Sequence, residues 1–199
     1  MCTCLSLRSV GILFTSAALV AGGAMLAGLT QNQPAAAQKA EPAQAAPAAA
    51  PSMLDAIKKL EGTWTTQGPE GKQIIASIYK VTAGGSAVRE IMFPGSAHEM
   101  TNMYHLDRIG KDGAHEVLVV THYCAAGNQP RMQCVKESAP GVFPFEFRDV
   151  TNLRAKDEGY MGGVTLTITD ADHAVQEWTH YKEGKEHGEK MRFELTREK

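Results

Sequence analysis

Residues 143–169 read FPFEFRDVTNLRAKDEGYMGGVTLTIT. Side chains of a strand alternate between two faces. Phe143, Phe145 and Phe147 therefore share one side, and Pro144, Glu146 and Arg148 the other. Val164, Leu166 and Ile168 alternate against threonines in the same way. Working outward, the same pattern recurs between turn signals. Strands are predicted from Trp64 and over 73–81, 87–93, 98–107, 116–124, 143–150, 164–169, 176–182 and 191–197, with Ala83-Gly84-Gly85-Ser86, Pro94-Gly95 and Gly110-Lys-Asp-Gly113 between them. Short alternating strands at such spacing predict an all-β antiparallel sandwich or barrel. A single helix is expected, opened by Ser52 and Asp55, with Leu54, Ile57 and Leu60 on one face and Gly62 at its end.

Residues ahead of this unit have a different character. Arg8 is the only charge before Lys39, and Val10 to Leu29 is apolar apart from small or weakly polar residues. A positive start, an apolar run and then small residues form a secretory signal pattern, with Ala35-Ala36-Ala37 as the cleavage site. Residues 1–37 are expected to be this signal, and the protein to be periplasmic or secreted. Only an uncleaved segment would tie it to a membrane, since about 20 apolar residues can span a bilayer. Residues 38–51 read as an Ala/Pro-rich disordered linker that cannot offset its ordering entropy. Residues 52–199 form the folded unit. A net charge of −2 and a pI near 6.4 give no reason to expect a nucleic-acid partner.

The short helix, Gly62-x-Trp64, the run of antiparallel strands and the closing Phe193-Glu-Leu-Thr-Arg197 resemble lipocalin-like (calycin) barrels. The resemblance implies an up-and-down barrel of about eight to ten strands, closed at one end by Trp64 with Arg197 across its indole. A guanidinium in that place gains about 0.5–2 kcal/mol of cation–π energy. A closer resemblance is to uncharacterised exported bacterial proteins with a lipocalin-like domain. It rests on Gly84–Val88, Glu90, Pro94-Gly95, His98-Glu99-Met100, Tyr104-His105, Asp107, Thr121–Cys124 and Gly127–Met132. It implies a family without implying an activity. Histidines that often precede the strand near Val164 in that group are replaced here by Gly159-Tyr160-Met161-Gly162-Gly163. Nitrobindin-type haem barrels also open with Gly-x-Trp, but their glycine-rich haem-pocket pattern is not matched, and no cofactor is assigned.

Chemistry concentrates between His98 and Cys134, which holds four of the seven histidines together with Cys124, Met100, Met103 and Met132. The hairpin register decides what meets. One register sets Met100 opposite His122 and His98 opposite Cys124, making a soft site for zinc or copper. The next sets Thr101 opposite His122 and Glu99 opposite Cys124, a carboxylate–imidazole pair for acid–base work. Both stay open. Cys124 and Cys134 form an even pair in an exported chain and are expected as a disulfide pinning the loop between them. His122 also fits a hydrogen-bonded wall residue, and the methionines fit core filler.

The sequence thus points to an exported barrel that binds a small, partly apolar molecule. Tyr79, Met100, Tyr104, His122, Tyr123, Asn128 and Arg131 are the candidate contacts. A metal-binding or metal-dependent enzyme site at His98, His105 and His122 is the alternative, and a filled structural barrel the third reading. No His-Glu-x-x-His, phosphate-binding glycine loop or Gly-x-Ser-x-Gly elbow is present, which argues against common hydrolases and nucleotide enzymes.

Overall fold

The computed structural model describes residues 51–199. The expected signal (1–37) and all but the last residue of the expected linker (38–51) lie outside the described residues. Helix α1 spans Met53–Lys58. Its Asp55 carboxylate accepts hydrogen bonds from the Ser52 backbone N–H (2.9 Å) and hydroxyl (3.0 Å), tying down the first turn.

Ten strands close into a ring. They are β1 (Gly62–Gln67), β2 (Gln73–Thr82), β3 (Ala87–Met92), β4 (Met100–Ile109) and β5 (His115–Tyr123), then β6 (Gln129–Cys134), β7 (Val142–Thr151), β8 (Tyr160–Ile168) and β9 (His173–Lys182), and last β11 (Met191–Arg197). Each pairs antiparallel with the next, and β11 closes the ring by pairing with both β9 and β1. The two-residue β10 (Lys185–Glu186) is a stub on β9. The fold is therefore the all-β antiparallel barrel with one short helix that the strand pattern predicts.

Inward side chains fill the barrel in layers. At one end Trp64 is buried, and its Nε1 donates to the Leu60 carbonyl at 2.7 Å. Leu54, Ile57 and Leu60 of the helical segment join Leu118, Cys134, Phe143, Leu166 and Leu195 in the core. Arg197 lies with its Cζ 4.3 Å from the Trp64 ring centroid, and it donates to the carbonyls of Glu61, Lys59 and Ala171. This end is shut by packing and by a guanidinium that satisfies carbonyls of the helix exit.

Two features depart from the sequence reading. Residues 129–134 form a strand rather than a loop tip. The chain turns at once after β5: Cys124 N–H donates to the Asn128 carbonyl (3.1 Å) and Gly127 N–H to the Cys124 carbonyl (2.9 Å). Gly127 takes φ +91° there, a conformation glycine adopts without cost. Consequently Cys134 pairs with Leu118, not with Cys124, and both cysteines are free thiols. Leu118 on β5 stands six residues before Cys124, which directly follows the strand. That separates the two cysteines by about 20 Å along the barrel wall at a rise of about 3.3 Å per residue. A disulfide needs Cα atoms about 4.4–6.8 Å apart. The expected bond is corrected accordingly.

The second departure is β8, which starts at Tyr160 and carries a bulge between Met161 and Gly163. A Cβ on Gly162 would run into the ring of Tyr181, so the glycine makes room for the tyrosine. Tyr181, Tyr160 and Phe147 form an aromatic stack there, with centroids 5.1–6.1 Å apart.

Candidate functional site

The β4–β5 register is neither of the two expected. Asn102 stands opposite His122, and Tyr104 opposite Val120. It differs from the soft-site register by two residues, so the facing is preserved. Asn102, Tyr104 and His122 point inward with Val120 and Leu118, while Thr101, Met103 and His105 point outward.

The centre of the barrel is polar. Glu90 on β3 is wholly buried, and both its oxygens are used. Oε1 accepts from Ser77 Oγ (2.5 Å) and Gln176 Nε2 (2.7 Å). Oε2 accepts from Asn102 Nδ2 (2.7 Å) and the Tyr104 hydroxyl (2.8 Å). Four donors around two oxygens is the set a carboxylate takes. Gln176 Nε2 also reaches the Tyr79 hydroxyl at 2.6 Å, and Gln176 Oε1 accepts from Trp178 Nε1 at 3.0 Å. Burial, and then the charge of Glu90, raise the Tyr79 and Tyr104 phenols well above their ordinary range. From Asn102 the network runs on to His122, whose Nδ1 lies 2.7 Å from Asn102 Oδ1. His122 is 1 % exposed, and burial pushes its pKa down to about 4. Its Nε2 is buried and has no partner.

Beyond this network the barrel is hollow. A cavity of about 320 Å³ opens at the mouth opposite Trp64 and Arg197, between the end of β3, the starts of β4, β8 and β11 and the β5–β6 turn. His122 and Trp178 line it, with ring centroids 5.0 Å apart. Above them stand five sulfur side chains (Met92, Met100, Met161, Met191 and Cys124) and the rings of Phe93 and Phe193, in edge contact at 5.4 Å. Phe93 adopts φ +49°, which a bulky residue holds only at a cost, and its N–H donates to the Ala76 carbonyl at 2.8 Å. An open groove lined by Ile74, Ile75, Phe93 and His98 adjoins the cavity and gives the mouth an apolar lip. A polar groove lined by Thr65, Gln67, Gln73, Arg192 and Glu194 shares no residue with the cavity.

The candidate residues divide by face. Met100 and His122 line the cavity, as do His98 and Cys124. Tyr79 and Tyr104 sit in the polar layer. Tyr123 is 48 % exposed on the outward side of β5. Arg131 also points outward, in a two-pronged ion pair with Asp149 at 2.6 and 2.7 Å. Asn128 is buried and pins the turn by donating to the Gly159 carbonyl at 3.0 Å. His105 faces away from His122, with its Nδ1 3.1 Å from the Leu106 carbonyl, so the three histidines do not converge. Among the described residues no group of three His, Cys, Asp or Glu side chains is placed to hold a metal ion.

Glu90, Asn102, Gln176 and Trp178 are the site residues the sequence reading passed over. Asn102 and His122 share a face in the strand pattern, and a lone glutamate between Val88 and Met92 on an inward face was the available signal. No family model matches the chain, and no curated protein matches it.

Proposed function

We propose that this chain is an exported binding barrel that takes a small, largely apolar molecule into the cavity at its open mouth. The observation that carries this reading is the cavity itself. About 320 Å³ of mainly apolar, aromatic and sulfur-lined space is lined in part by His122, whose buried Nε2 has no protein partner. Ligand pockets have this make-up: apolar walls and few polar groups, at the mouth of a barrel, with volumes from about 300 Å³ upward. Buried polar atoms in proteins are mostly paired; the two side-chain exceptions among the described residues are His122 Nε2 and Asn128 Oδ1, and of these only His122 belongs to a residue that lines the cavity. Methionine and cysteine side chains adapt to an irregular guest. Export rests on Arg8 and the apolar run Val10–Leu29.

The test is native mass spectrometry of the protein recovered without added metal or ligand, beside a Met161→Trp variant that fills the cavity. The expected result is a small organic adduct that the variant lacks. A bound metal ion lost on His122→Ala would replace this reading with a metal site. Bare protein that also takes up no apolar probe would overturn it.

A further inference from the structure

We propose that the cavity's ligand is a neutral ring molecule that donates a hydrogen bond, of the phenol or cyclic-alcohol class, and that it donates to His122 Nε2. The proposal rests on the binding-barrel reading above and adds the ligand's chemistry.

The argument begins at Glu90. A carboxylate only accepts hydrogen bonds, so the Asn102 group 2.7 Å from Oε2 is its NH₂. The same NH₂ lies 3.3 Å from Met92 Sδ, another acceptor. The Asn102 amide is thereby fixed with Oδ1 toward His122, 2.7 Å from Nδ1. An oxygen there only accepts, so His122 Nδ1 carries the proton. Burial keeps the ring neutral, with its pKa down at about 4. A neutral imidazole protonated on Nδ1 has a lone pair on Nε2. The orphan atom is therefore an acceptor, and a donor that satisfies it must displace the side chains that now cover it.

The walls set the rest. No carboxylate, lysine or arginine lines the cavity. A cationic donor would be desolvated without a counter-charge, and an anion would set its charge against a lone pair. Neutral donors remain. A volume of about 320 Å³ sits at the small end of ligand pockets and suits one or two fused rings. The aromatic faces of Trp178, Phe93 and Phe193 and the thioethers around them favour a ring over a flexible chain, since sulfur–aromatic and edge-to-face contacts both add attraction.

Three probes test this on the full chain by isothermal titration calorimetry: 2-naphthol, its methyl ether 2-methoxynaphthalene, and naphthalene. 2-Naphthol should bind about tenfold tighter than either probe lacking the donor. In His122→Phe the three should bind within about twofold of one another. Long-range ¹H–¹⁵N spectra of the free wild-type protein should show His122 neutral with its proton on Nδ1. Equal binding of the three probes to wild type would overturn the donor class and leave the binding barrel standing. No binding by any of them would overturn both. A proton on Nε2 would overturn the inference whether or not the variant folds.

Discussion

Glu90→Gln is the sharpest perturbation of the barrel centre. It conserves volume and exchanges one accepting oxygen for an NH₂ that donates. Each oxygen of Glu90 now faces two donors, Ser77 with Gln176 on one side and Asn102 with Tyr104 on the other. Either orientation of the new amide thus sets N–H groups against N–H and O–H groups. The hydroxyls of Ser77 or Tyr104 can rotate to accept. The amides can adapt only by flipping, which breaks the Gln176–Trp178 bond or the Asn102–His122 bond. The hydroxyl bond can re-form with its direction reversed, whereas one amide bond to the charged group is lost, at a cost of about 1.5–3 kcal/mol. That is a large share of the roughly 5–15 kcal/mol by which domains are stable. Urea unfolding followed by tryptophan fluorescence reads it as a lower midpoint at unchanged slope. Glu189→Gln, at an exposed position, is the control and should change stability by less than about 0.5 kcal/mol. A Glu90→Gln loss below about 1 kcal/mol would refute the four-donor carboxylate.

Three further outcomes follow from the same structure. The pKa of His122 is about 4 when folded against an ordinary 6.5, so between these values the unfolded chain binds a proton that the folded chain refuses. Stability is then fullest above pH 6.5 and falls by up to about 3 kcal/mol as the pH drops to 4; thermal melts should show this slope in wild type and lose it in His122→Phe, and an unchanged slope would sink the assignment. Gly162→Ala drives a methyl into the Tyr181 ring and should cost about 1–3 kcal/mol, and much less in a Tyr181→Ala background; an equal cost in both backgrounds would show that the ring is not the obstacle. Peptide mapping should recover Cys124 and Cys134 as separate free thiols, with Cys134 alkylated far more slowly because burial pushes its pKa up to about 11; a crosslinked peptide pair would refute the β5–β6 register.

The barrel was legible because its strands alternate cleanly. Phe143 and Phe145, and the aliphatic–threonine run of 164–168, state which face is inside, whereas Phe147, expected on the same face, is 37 % exposed. Residues 129–134 were illegible because Pro130, Arg131 and Gln133 read as loop, although Met132 and Cys134 keep the alternation. That one miss displaced Cys134 and produced the disulfide expectation. The face of His122 could be read, but its register could not. Neighbouring registers that keep the facing bury the same side chains, so the hydrophobic pattern does not separate them. Glu90 was unread because a strand pattern registers an isolated acid as outward, and what reverses that is a set of four donors drawn from β2, β4 and β9.

The closure of the ring also has a kinetic side. β1 takes its second neighbour from β11, and Arg197 reaches back across 136 residues to the Glu61 carbonyl. Until those last residues are synthesised, every nascent chain is an open sheet with two raw edges and an uncovered Trp64. Such late, long-range pairing folds slowly and leaves the edges open to pairing with other chains. Loss of the final strand would therefore do more than weaken the barrel. It would turn a ring of ten strands, each paired on both sides among the described residues, into an open sheet with two edges and a permanent template for aggregation.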